Sequence, residues 1–403
     1  MSVIRIHRYH LPGGTPRHAS RIMGVLVIVA TTSIMWVQHR LPLPPIIAHH
    51  QDHPEMFISD QIQKKPEDNF SKTQEELLAL TPSRGYTQPG CNCIRFGFDV
   101  AALRKTSQSV LEKPWLYPAW FKTKYSFQGE STCSHFSTQR GRQRVVSFSY
   151  YNPNSTTDID STHFMSYLWP VRVLALKVAT LYPGWVMRVY HNVTTDDYYG
   201  NSFLCKIYCS NDNVDLCLVT DLPGLGNLVQ QQVVGGLWRL AVMGDPTVEV
   251  FLSRDLDNWI LKREVAAVDE WIKSGRSFHV MRDHPNHTAV MLPGLWGGYN
   301  RWPHTLRRVR EEVFRPPASD TRTLDHFSLA TKIWPLIKHD VLQHDSYNCL
   351  QPSHRGARAF PVQRRNYYYC GGGPFDVKEQ YIVAQTMCPV ECRPPENTSW
   401  VHC

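Results

Sequence analysis

The sequence predicts an α/β fold, a doubly wound mixed sheet with helices on both faces, over residues 141–403. Three observations carry that expectation. From Arg144 onward, apolar strand-like runs alternate with helix-like segments. Turn-forming Asn, Pro and Gly residues close several of those runs. One run, Val248-Glu249-Val250-Phe251-Leu252-Ser253, leads into Asp255 and Asp257, at the end of a strand where α/β sheets bind ligands.

The elements follow in order. Residues 145–150 (VVSFSY) read as a strand closed by Asn152-Pro153-Asn154. Residues 163–181 read as a helix that Pro170 must kink or truly begin, and Tyr182-Pro183-Gly184 ends it. Residues 185–191 and 214–220 are strands, with a helix over 194–208 between them. Residues 236–243 are helical, and 247–253 form the strand before the two acids. In 261–274, Val265, Val268, Trp271 and Ile272 make one apolar helix face, with Asn258 as N-cap and Gly275 as the stop. Residues 277–282 form a further strand. Gly294 and the glycines of Leu295-Trp296-Gly297-Gly298 let the backbone pass close to a ligand or a neighbouring strand.

Ahead of this domain the chain changes character. Residues 22–37 carry no charge and reach roughly 24 Å as a helix, slightly short of a hydrocarbon core. Arg5, Arg8, Arg17 and Arg21 precede the run, and the first acid is Asp52. The positive-inside rule then makes 1–21 a cytosolic tail, 22–38 a signal-anchor transmembrane helix and the remainder lumenal. A cleaved signal peptide is the alternative, but no small-residue cleavage site follows the run. Residues 39–90, rich in Pro, Gln, His and Lys, read as a stalk with a short helix over 71–80, and 91–140 as a cysteine-bearing entry segment.

Eleven cysteines, all beyond residue 90, fit an oxidising compartment and leave at least one without an intramolecular partner. They group as Cys91/Cys93/Cys133, Cys205/Cys209/Cys217 and Cys370/Cys388/Cys392/Cys403, with Cys349 apart. Asn69, Asn154, Asn192, Asn286 and Asn397 head Asn-x-Ser/Thr sites that suit a lumenal glycoprotein. The net charge of +8 lacks any long basic run or interleaved aromatics, so nucleic acid is not an expected partner.

The chemistry starts at Asp255 and Asp257. In extended chain, i and i+2 project the same way, and paired carboxylates suit Mn²⁺ or Mg²⁺ holding diphosphate oxygens. Capping of the helix near Leu261 is the competing role for the same acids. Arg239, after Trp238, could neutralise a diphosphate. Residues 279–287 (HVMRDHPNH) are a dense polar cluster whose His spacing matches no standard zinc site. In it, Arg282 and Asp283 are expected to line a donor or acceptor pocket, or else to pair and fix a turn before Pro285.

Taken with Leu237-Trp238-Arg239, 253–258 (SRDLDN), 263–271 (REVAAVDEW), 278–285 (FHVMRDHP), Leu295-Trp296-Gly297-Gly298, Asp325-His326-Phe327 and 334–349 (WPLIKHDVLQHDSYNC), the chain resembles the GT-A, Rossmann-like fold of nucleotide-sugar-dependent glycosyltransferases. The similarity spans residues 141–370 and lies with a poorly characterised group of Asp-x-Asp glycosyltransferase-like proteins. It implies a single lumenal catalytic domain and a Golgi or other secretory-pathway enzyme of the hexosyl- or N-acetylhexosaminyl-transferase type. The donor would be a nucleotide sugar, a UDP-sugar ahead of GDP-mannose, and the acceptor a glycan, glycoprotein or glycolipid. Asp257 would ligate Mn²⁺ or Mg²⁺, and Asp255 would touch the donor or the metal. His344 would complete the metal shell, and Arg239 and Arg282 would contact the donor. Asp325 or Asp283 would be the base of an inverting enzyme; a retaining enzyme needs none. His326 stands where relatives carry Gln.

Two other classes compete. A haloacid-dehalogenase-type phosphatase also uses strand-Asp-x-Asp, but there the first Asp directly ends the strand; here Ser253-Arg254 intervene and Asn258-Trp259 follow. A non-catalytic lumenal scaffold or binding protein could keep the transferase fold.

Overall fold

The structure, a computed structural model, describes residues 85–96, 129–140, 142–151, 163–315, 324–374 and 376–403. The expected tail, anchor and most of the stalk lie outside the described residues, as do much of the entry segment and the glycosylation sequons at Asn69 and Asn154.

A short antiparallel ribbon, β1 (Gly85–Thr87) with β2 (Ile94–Phe96), and a helix, α1 (His135–Gln139), precede the main sheet. The sheet strands are β3 (Gln143–Tyr150), β4 (Val186–His191), β5 (Val214–Leu218), β6 (Val248–Ser253), β7 (Phe278–Arg282), β8 (Trp296–Tyr299) and β9 (Val341–Asp345). Their spatial order is β5-β4-β3-β6-β8-β7-β9. All pairings are parallel except those of β8, which runs antiparallel to both β6 and β7. The α/β expectation therefore holds, with a seven-stranded mixed sheet.

Both faces are covered, which is why β3, β4, β6 and β7 are buried along their whole length rather than alternating. On one face Val146, Phe148 and Tyr150 pack with α2 (Trp169–Leu181), α3 (Tyr198–Ser210) and α4 (Lys262–Ser274). On the other, Val145 and Phe251 pack with the 3₁₀ segment Gly235–Val242 and α5 (Pro303–Phe314). Beyond α5 come α6 (Leu324–Ser328), a π-helical stretch Leu329–Ile333 and α7 (Trp334–Ile337). The last helix, α8 (Val377–Gln385), follows β9.

Pro170 marks the start of the α-helix proper, the second of the two expectations for it. The turn before it, Phe164–Leu168, is π-helical and runs directly into α2, so the proline without an N–H occupies the first turn of α2 proper. The segment Phe164–Leu181 is apolar and long enough to cross a membrane by length and composition, yet Leu168, Val171, Leu174, Ala175 and Val178 pack into the core. Gly275 ends α4 at φ 76°, the left-handed conformation expected of the stop residue.

Five disulfides join the sequence groupings across the fold: Cys91–Cys205, Cys93–Cys209, Cys133–Cys217, Cys349–Cys392 and Cys388–Cys403. The first two tie the segment after β1 to α3, and the third ties the α1 segment to edge strand β5. Cys370, buried, is the odd one. Such a set belongs to an oxidising secretory or extracellular environment.

One fully buried charge is Asp245, in the turn before β6. It accepts from Arg188 of β4 at 2.6 Å, from the Thr132 amide at 2.8 Å, from Ser131 Oγ at 3.0 Å and from Thr247 Oγ1 at 2.7 Å. Burial opposes its ionisation, but Arg188 and Thr247 hold its carboxyl below the usual carboxylate range. Asp245→Ala would leave the Arg188 guanidinium buried without its carboxylate. We expect a loss of about 3–5 kcal/mol, measurable by chemical denaturation.

Candidate active site

β3 is the topological switch of the sheet: the chain leaves it toward β4 and β5, then returns to β6 on its other side. Crevices at the carboxyl ends of such adjoining strands are where open α/β sheets bind ligands. Two serines on one face of β3 build the first wall. Ser147 Oγ donates to the Arg239 carbonyl at 2.7 Å, and Ser149 Oγ accepts from the Arg239 amide at 2.8 Å. This grip on the 3₁₀ segment aims the Arg239 side chain across the end of β6. There it donates to Asp255 Oδ1 and to the Arg254 carbonyl, while its other terminal nitrogen lies 3.8 Å from Asp325 Oδ2 at the start of α6. Asn258 Nδ2 donates to the second Asp255 oxygen at 3.2 Å. Burial raises the pKa of the Tyr151 phenol; Arg239 pulls it down, while Tyr167, Asp325 and Asp255 push it up, so these side chains share the crevice. Tyr151 is 46% exposed, immediately beyond β3, with its ring edge-on to Trp238.

The two acids do not lie on extended chain. The strand stops at Ser253, and residues 255–258 turn. Arg254 points inward, donating to Glu264 of α4 at 2.8 Å and to the Trp296 carbonyl at 2.9 Å, which anchors the turn. Asp255 comes out beside Arg239, one-third exposed, whereas Asp257 is open to solvent. Crowding by the surrounding walls, and then the Asp255 charge, push the Asp257 carboxyl up to about 6. Neither acid caps α4. Its N-cap is Leu261 with no side-chain bond, and Asn258, the expected cap, serves Asp255 instead. Gly294 makes room for this arrangement: a Cβ there would fall 1.8 Å from Asp255 Oδ2.

Beyond Asp257 lies an open recess of about 190 Å³. Tyr167, Trp169 and Lys177 line it from the first long helix, Trp259 from the turn after β6, and Asp376 from the residue before α8. Asp376 Oδ2 accepts from the Gly373 amide at 2.7 Å.

Three predicted site residues are elsewhere. Asp283 is fully buried and saturated: Arg263 Nε and Nη2, Arg364 Nη2, Ser346 Oγ and the Cys370 amide all donate to it. Burial opposes its ionisation, but the two arginines hold it far below the carboxylate range, so it is a structural anion and no proton acceptor. Arg282, also buried, donates to Asp345, Gln343 and the Val290 carbonyl. The expected Arg282–Asp283 sugar wall is thus two separate buried networks. His344 is three strands away from β6 in the sheet. Its Nδ1 lies 2.8 Å from His279 Nε2 and its Nε2 lies 3.2 Å from Glu270. Burial pushes both histidines toward neutrality, and hydrogen bonding from His344 brings Glu270 down to about 2. With both ring nitrogens committed there, His344 does not join Asp255 and Asp257. Among the described residues, no group of three or more His, Cys, Asp or Glu is arranged to hold a metal.

Arg239, Asp255, Asp257 and Asp325 are therefore the predicted residues that meet at this edge. Tyr151, Lys177 and Asp376 had not been singled out. Tyr151 sits one residue past a predicted strand and Lys177 interrupts an apolar helix, which are usable signals; nothing local marks Asp376. No protein-family model matches this chain, and no curated protein matches it.

Two outcomes follow from this geometry. Gly294→Ala must displace the Asp255 carboxyl and should cost about 1–3 kcal/mol in denaturant unfolding. The native Asp257 holds its proton up to about pH 6, above the ordinary value of 3.8. The stability this contributes is fully present below about pH 4 and lost as the pH rises through 6. Asp257→Asn should therefore melt about 1–2 °C higher than the parent at pH 8, with the gain shrinking toward pH 4. Solvent screening of an exposed side chain keeps the effect small.

Proposed function

We propose that the protein is a metal-dependent glycosyltransferase of the GT-A type, anchored in a secretory-pathway membrane such as the Golgi by residues 22–38. It would move a sugar from a nucleoside-diphosphate donor, a UDP-sugar ahead of GDP-mannose, to a hydroxyl of a glycan, glycoprotein or glycolipid. The observation that carries this reading is the meeting of Arg239, Asp255, Asp257 and Asp325 at the β3/β6 switch point.

The residues present fit a divalent cation. Mg²⁺ and its like are commonly held by one or two carboxylates together with substrate phosphates, so a three-ligand protein cage is not required. Asp257 has the free carboxylate; burial first, and then the Asp255 charge, raise its pKa, and a cation would relieve the second. When bound, Mn²⁺ or Mg²⁺ offsets the charge that builds on the departing diphosphate. Arg239, with one terminal nitrogen only loosely paired to Asp325, supplies a second positive group to that diphosphate. Tyr151 offers an exposed ring face to the base or ribose. Asp255, fixed by Arg239 and Asn258, orients the donor's hydroxyls. Inversion needs a carboxylate to take the acceptor's proton; Asp325 on the Arg239 side and Asp376 on the recess side are the two within this edge.

A second reading, a lumenal binding protein that keeps the fold without transfer, is favoured by the engagement of both Asp255 oxygens, which leaves Asp257 as the one uncommitted acid of the pair.

The test is calorimetric titration of UDP and GDP into the full-length protein in detergent, with and without Mn²⁺. Mn²⁺-dependent binding of one nucleotide, lost in Asp257→Asn, is expected. Because a proton competes for Asp257, Mn²⁺ affinity should fall as the pH drops below about 6. No nucleotide binding would end the transferase reading; binding without turnover of any sugar nucleotide would select the second.

A further inference from the structure

The recess beside Asp257 contains a cation that, among the described residues, no carboxylate neutralises. Lys177, on the third turn of α2, is half-buried and reaches over the Trp259 ring, 4.6 Å from its centroid. Among the described residues no carboxylate pairs with it and no acceptor takes its N–H donors. The other charged groups of the recess, Asp257 and Asp376, line it without forming an ion pair to Lys177. Burial pushes the ammonium's pKa down, with no opposing anion to restore it. A half-buried ammonium of this kind gains most from a ligand that brings its own negative charge.

The surroundings narrow the ligand. Trp259 and Trp169 line the recess, and Tyr167 stands at it 43% exposed. Aromatic faces accept the apolar C–H face of a pyranose, and the carboxylates of Asp257 and Asp376 accept its hydroxyls. The space suits a single sugar ring rather than a chain. We infer that this recess is an acceptor subsite for an acidic monosaccharide unit, its carboxylate on Lys177 and its ring against Trp259. The acceptor role rests on the transferase reading above; the recognition of an acidic sugar does not. Two carboxylates outweigh one ammonium here, so a cation on Asp257 reverses the net sign. Acidic sugar should accordingly bind more tightly when Mn²⁺ is present.

The experiment compares a hyaluronan tetrasaccharide, which alternates glucuronate with N-acetylglucosamine, with neutral chitotetraose. Binding to the full-length protein in detergent is read by calorimetry, with and without UDP and Mn²⁺. The expected result is preference for the uronate ligand, weakened about ten-fold or more in Lys177→Met and largely kept in Lys177→Arg. The wild-type comparison of the two ligands stands even if a variant does not fold. Equal binding of both tetrasaccharides, or an unchanged preference in a folded Lys177→Met, overturns the inference while leaving Mn²⁺-dependent nucleotide binding, and the transferase reading, intact. Stronger binding of a sulfated heparin tetrasaccharide than of the uronate overturns the carboxylate assignment. Uronate binding through Lys177 without any nucleotide binding supports the recess and removes the transferase reading.

Discussion

The buried contact between Arg188 and Asp245 is the constraint around which the sheet is assembled. Asp245 sits in the turn that feeds β6, Arg188 lies on β4, and β3 runs between those strands. The same carboxylate takes donors from Ser131 and Thr132, so the entry segment is fixed to the same point. Two charges removed from water are tolerated only when their hydrogen bonds are filled. That requirement sets the position of β6 relative to β3, and hence where the turn bearing Asp255 and Asp257 emerges.

Charge satisfaction also separates scaffold from site. Asp245, Asp283 and Asp345 are fully buried, and each is met by an arginine together with backbone or hydroxyl donors. Such carboxylates hold segments together and have no remaining capacity for a ligand. At the carboxyl edge of β3 and β6 the pattern changes. Asp325 is held only loosely, Asp257 stands open beside another acid, and Lys177 has an aromatic ring but, among the described residues, no paired carboxylate. Unsatisfied charge in a recess is binding capacity, because a ligand can supply the missing partner.

Rigid support is concentrated behind this edge. The hydroxyls of Ser147 and Ser149 hold the Arg239 backbone from both sides, and Arg254 is locked between Glu264 and the β8 carbonyl of Trp296. Tyr182 adds a hydrogen bond to the same Glu264 at 3.0 Å. The mobile decisions of a reaction are thereby left to the exposed ends of side chains, while their backbones are fixed.

The sequence by itself determined the α/β alternation, the places of the strands from 145 to 282, the left-handed stop at Gly275 and the odd cysteine, because hydrophobic period, turn chemistry and parity are local or countable properties. It also brought Arg239, Asp255, Asp257 and Asp325 into view, since the strand ahead of the acids reveals the edge they occupy. Only the tertiary structure decided that Asp283, Arg282 and His344 belong to the core. Each reads as a polar residue near a strand end, but burial and the arginines, carboxylate or histidine that meet them come from other elements of the fold. The same holds for Asp376 and Lys177: the recess that joins them is closed by elements more than a hundred residues apart in sequence, and no local pattern encodes that contact.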